Sequence, residues 1–169
     1  MLFAIVQHTP DWVWGLLTVL LAAGLWQTRD RQMSLLRITV LPLVMVVLSL
    51  SGVLRGFGPS PVALSGWAVG AGIALALARQ WLHVRGAVWS PGARALQVPG
   101  SWLPLALMLG LFAVKYFAGV NLAMNPALAS DVTFAGLCSL AYGCVSGTFM
   151  ARALALRSLA TSSPMEQAA

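Results

Sequence analysis

The stretch from Ser101 to Pro126, "SWLPLALMLGLFAVKYFAGVNLAMNP", decides how the chain is read. It is almost unbroken in apolar and small residues, and its single charge is Lys115. A helix of roughly 20 such residues crosses the hydrocarbon core of a bilayer, so this segment is predicted to span a membrane. Lysine is costly in hydrocarbon. The stretch therefore poses a choice: Lys115 is a working group in a membrane site, or a long side chain snorkelling to the surface.

The composition extends the membrane reading to the whole chain. Of 169 residues, 59% are hydrophobic and only 8% are charged, whereas soluble domains carry about 25% charged residues. The predicted fold class is all-α, a polytopic membrane protein built as a bundle of about five transmembrane helices. Ten Lys and Arg against four Asp and Glu give a formal charge of +6. In a soluble protein that excess would point to nucleic acid. Here the arginines fall in loops and at helix ends, where they report membrane orientation. No nucleic-acid partner is expected; the partner is the lipid bilayer, with a homo-oligomer or another membrane subunit left open.

One domain over residues 1–161 is expected, with spans of about 10–27, 36–54, 62–81, 102–124 and 131–153 and a flexible cytoplasmic tail over 162–169. Thr9, Pro10 and Asp11 suit the start of the first helix as cap, first helical residue and dipole-facing acid. The N-terminal "MLFAIVQHTPDW" has no basic residues before its apolar run, so it does not read as a cleavable signal, and the first helix is expected to be retained. Pro42 falls inside the second span, where it removes a helical hydrogen bond. "RGFGPSP", residues 55–61, is a turn. Residues 1–9 and 86–100 are undecided, the latter between a short strand at "RALQV" and an interfacial segment. The third span presents Gly66, Gly70, Ala74 and Ala78 at every fourth position, and the fifth presents Ala135, Ser139, Gly143 and Gly147. Small faces of this kind let membrane helices pack closely.

Five spans place Arg29, Arg31, Arg37, Arg79, Arg85, Arg94, Arg152 and Arg157 on one side, and Arg55 with Lys115 on the other. By the positive-inside rule the N-terminus faces outward and the C-terminus the cytoplasm. In that topology Lys115 shares the outer half of the bundle with Asp11, Arg55, Tyr116, Asn121, Asn125 and Asp131. These residues form the candidate ligand or ion-pair cluster, since pairing makes buried charge tolerable. Each also has an ordinary explanation: Asp11 and Asp131 as acids at helix N-termini, Arg55 as a helix-end residue, Asn125 as a stop before Pro126.

No metal site or cofactor is expected. His8 and His83 fall on opposite sides of the membrane, and no HxxxH or CxxC is present. Cys138 and Cys144 lie about 9 Å apart along one helix, too far for a disulfide, and read as small packing residues. Ser139, Tyr142 and Ser146 are expected to form interhelical hydrogen bonds.

"HTPDWVWGLL", residues 8–17, and "PGSWLPLALMLGLFAVKY", residues 99–116, resemble a family of small uncharacterised bacterial inner-membrane proteins, a domain of unknown function. The resemblance implies a bacterial integral membrane protein, assigns no activity, and sets Lys115 and Tyr116 within one of its motifs. Three functions stay open. One is a protein that binds, or helps transport, a small solute, lipid or proton through the outer polar cluster. Another is a structural or accessory membrane subunit without a ligand. The third, a membrane-embedded enzyme, has the least support: no nucleophile stands with a base, and no carboxylate pair shares a helix. No catalytic residue is assigned.

Overall fold

The computed structural model describes residues 11–81, 88–90 and 95–166. The undecided segment over residues 1–9 lies outside the described residues, as do His8, His83, Arg85 and Arg94. Five α-helices lie among the described residues: α1 (Asp11–Trp26), α2 (Leu35–Phe57), α3 (Pro61–Trp81), α4 (Leu103–Met124) and α5 (Val132–Glu166). The last four contain segments long and apolar enough to cross a membrane, and the fold is an all-α membrane bundle. The described α1 has 16 residues, about 24 Å of helix against a hydrocarbon core of about 30 Å. α5 continues past the expected end near 153, because "ALALRSLA" is rich in Ala, Leu and Arg, all strong helix formers.

Large side chains such as Val19, Leu43, Val47, Val69, Ile73, Leu77 and Leu137 stand exposed around the bundle. A water-soluble monomer rarely shows so much continuous apolar surface, whereas lipid accommodates it without cost. Inside, α5 is the hub and packs against α2, α3 and α4, while α1 leans on α4. The core between them includes Val53, Phe57, Ala63, Met108, Leu111 and Phe149.

The two small faces anticipated in the sequence meet each other. A methyl group on Gly70 would run into the carbonyl oxygen of Leu140, one on Gly143 into that of Trp67, and one on Gly147 into that of Ala71. One on Gly66 would come within 3.0 Å of the Gly136 carbonyl. α3 and α5 thus lie backbone against backbone, where dispersion and weak polar contacts replace the hydrophobic drive that lipid removes.

A three-stranded antiparallel sheet closes one end of the bundle: β1 (Arg31–Ser34), β2 (Val88–Ser90) and β3 (Ala95–Val98), in the order β1-β3-β2. Of the alternatives for 86–100, the strand at "RALQV" is the one observed. Leu96 and Val98 are buried and Gln97 between them is exposed, the period-two pattern of a half-buried strand. The sheet gathers the α1–α2 and α3–α4 connections at one end. Asp30 Oδ1 accepts the Gly100 N–H at 2.7 Å, and the Ser101 N–H reaches the Gln27 carbonyl at 3.2 Å. β1 feeds straight into α2, whose Ser34 cap accepts the Arg37 N–H at 3.5 Å. At the opposite end Gly58, with φ of 66°, ends α2 by donating its N–H to Leu54 O. That left-handed backbone is one that glycine adopts without penalty.

Candidate functional site

The side chain of Lys115 turns into the bundle. Its Cε lies so close to Gly52 of α2 that a methyl there would sit 3.2 Å from it and 3.1 Å from the ring of Tyr142 on α5. Lys115 is half-buried, Tyr142 is fully buried, and Gly52 supplies the gap that both share. Arg55, exposed on the last turn of α2, is near enough for its charge to act on the lysine. Among the described side chains no acid pairs with Lys115.

Asp131, Asn121, Asn125 and Tyr116 each meet a partner within their own helix or turn. Asp131 caps α5, accepting the Phe134 N–H at 2.6 Å, and is exposed. The Asn121 amide donates to the Phe117 carbonyl at 2.8 Å. Asn125 Oδ1 accepts the Ala127 N–H at 3.2 Å and starts a single 3-10 turn, Pro126–Ala129. Tyr116 stacks on Phe112, one helical turn away, with ring centroids 6.1 Å apart. Asp11 begins α1, and its side chain lies outside the described set. Common depth therefore brings together Lys115 and Arg55, two like charges, while the described acid at that end serves its own helix. As an N-cap, Asp131 is expected to contribute about 1 kcal/mol. Asp131→Ala should lower stability in detergent by that much, seen as a lower melting temperature, and leave any Lys115-dependent binding intact.

A second polar group lies deeper and was not anticipated. Trp67 Nε1 on α3 donates to Ser49 Oγ on α2 at 3.0 Å, and Ser49 Oγ donates to the Tyr142 carbonyl on α5 at 2.9 Å. The same carbonyl accepts Ser146 Oγ at 3.0 Å. The interhelical bonds expected of Ser139, Tyr142 and Ser146 are thus distributed differently. Ser146 bonds back along its own helix, Ser139 Oγ is buried with no partner among the described residues, and Ser49 and Trp67 make the crossing. A signal did exist: an indole N–H inside a span needs an acceptor. Cys138 is packed in the core and Cys144 is half-buried; both are free thiols. Among the described residues no three His, Cys, Asp or Glu side chains come together.

At the sheet end, a small pocket of about 30 Å³ opens between α2, α4 and α5, with Gln27, Arg37 and Arg152 in its lining. Arg152 is half-buried, and its Nη1 reaches Ser101 Oγ at 3.4 Å.

An all-α bundle with four helices long and apolar enough to cross a membrane, large apolar side chains exposed around it and an inward lysine has the features of the membrane-protein class. The chain belongs to the family of unknown function DUF6622, which it matches over residues 1–167. It is also similar to an uncharacterised protein of Pasteurella multocida (strain Pm70), PM0739, with 34% identity over 74 residues. That match takes in 44% of this chain, which spans 56% of the relative's length. No solved structure matches the chain.

Proposed function

We propose that this protein is a multi-pass component of the bacterial cytoplasmic membrane that binds a small anionic group, on a solute or a lipid, at Lys115 with Arg55 at the rim. The observation carrying this reading is the inward lysine beside Gly52 and Tyr142, with a second cation near it and, among the described side chains, no acid upon it. A charge retained in apolar surroundings is expensive, and an anionic ligand would supply the missing partner. The N-terminus is assigned to the outside and the C-terminus to the cytoplasm. In support, Arg29, Arg31, Arg37, Arg79, Arg152 and Arg157 lie toward the sheet end of the bundle and Arg55 toward the other.

Lys115 is the sole lysine in the chain, which makes it a clean chemical target. In right-side-out membrane vesicles, a membrane-impermeant amine reagent should modify Lys115 at alkaline pH, as located by peptide mass spectrometry. Millimolar mono- or dicarboxylates should protect it. Labelling only from inverted vesicles would overturn the orientation. Absence of both labelling and protection would favour the second reading, a structural subunit. That reading draws support from the α3–α5 seam and from the local partners of Asn121, Asn125 and Asp131.

A further inference from the structure

One face of α2 meets Tyr142 twice. Ser49 and Gly52 stand three residues apart on that helix and so present to the same side. Ser49 Oγ donates to the Tyr142 carbonyl at 2.9 Å, and the Tyr142 ring lies against Gly52. Ser49 also accepts the Trp67 indole N–H at 3.0 Å, and Ser146 Oγ reaches the same Tyr142 carbonyl at 3.0 Å. The turn of α5 that carries Tyr142 is therefore tied to α2 directly and to α3 through Ser49. A group held this firmly before binding loses little freedom when a ligand arrives.

It is the phenol end of the ring that meets Gly52. A Cβ on that glycine would lie 3.1 Å from Cε1 and Cζ of Tyr142 and 3.2 Å from Cε of Lys115. Cζ bears the hydroxyl and Cε bears the ammonium, so both polar groups start one bond from atoms gathered around a single point. Tyr142 is only 2% exposed. Its hydrogen bonds to other described side chains run through its carbonyl and leave the hydroxyl without a partner among them. A buried phenol ordinarily has such a partner. The lysine does not supply an acceptor for the phenol proton, because an ammonium only donates.

We propose that the Tyr142 hydroxyl is the second binding group for the anion at Lys115, donating to one oxygen while the ammonium holds another. This rests on Lys115 being the anion's partner, and it specifies the ligand as a group with two acceptor oxygens, as in a carboxylate. The test follows amine labelling of Lys115 in the full chain, in right-side-out vesicles at constant pH, as succinate is raised. Tyr142→Phe removes one oxygen and keeps the ring in its seat. Half-protection should then need about tenfold more succinate, since a hydrogen bond to a charged group is lost. The melting temperature should match that of the wild type, which separates binding from packing.

A second measurement keeps Tyr142 in place and decides the matter should Tyr142→Phe fail to fold. The chain has two tyrosines, so isotopic labelling at tyrosine Cζ gives two NMR signals, assigned with Tyr116→Phe. Succinate should shift the Tyr142 signal. Unchanged half-protection in a folded Tyr142→Phe, or a Tyr142 signal that succinate does not move, would overturn the proposal and leave Lys115 as the site. Absence of succinate protection in the wild type would remove the Lys115 reading and this one together.

Discussion

Gly70→Val is expected to deprive the protein of its closed bundle in mild detergent, while Gly72→Ala, two positions along the same helix, leaves it equally stable or more so. The contrast follows from what each glycine faces. At Gly70 a Cβ has no room beside the Leu140 carbonyl, which is main chain and cannot rotate away. Even alanine would force α3 and α5 apart, and valine adds two more carbons. Overpacking of this kind costs about 1–3 kcal/mol, and more where backbone must move. Gly72 is exposed, with nothing within 4 Å of an added Cβ. There alanine removes only the helix penalty of glycine, about 0.5–1 kcal/mol. Gly143→Ala, pressed against the Trp67 carbonyl, should behave like the Gly70 variant. Thermal unfolding followed by size-exclusion recovery measures all three. Equal recovery of the Gly70 and Gly72 variants would mean that the two helices are not held in backbone contact.

Lys115→Met is expected to separate stability from function. Methionine keeps the length and flexibility of the side chain and removes the charge. Because no described acid pairs with Lys115 and Arg55 repels it, the variant should melt at the same temperature as the wild type or higher. Binding of the anionic probes that protect the lysine from labelling should fall to background. A lower melting temperature would identify a structural clasp, with a partner outside the described side chains. An unchanged melting temperature together with unchanged binding by the variant would remove Lys115 from any site.

The seam between α3 and α5 was legible because it needs only spacing. Glycines four residues apart on two apolar segments mark two flat faces, and flat faces in lipid find each other. The direction of Lys115 was not legible. A membrane helix that is apolar all round has no polar stripe to say which face meets protein, so Lys115 had a height but no azimuth. Height alone grouped it with Asp131, Asn121 and Asn125, although each of these closes its own helix or turn. The bond from Trp67 to Ser49 and the pairing of Arg37 with Arg152 at one pocket depend on which helices become neighbours. Residues far apart in the chain carry no local trace of that. The strand at Ala95–Val98 was visible only as one of two alternatives, since its partner β1 sits in what reads as a basic loop.

The small sheet also bears on how the protein is made. β1 pairs with β3, and Ser34 meets Ala95 roughly sixty residues further along. During synthesis β1 emerges first and stays without its mate until α2 and α3 have both been made. Its sequence, Arg-Gln-Met-Ser, is polar enough to remain hydrated through that interval. Pairing then ties the α1–α2 connection to the start of α4. The sheet is thus a long-range contact that can close only after three helices have left the ribosome in order.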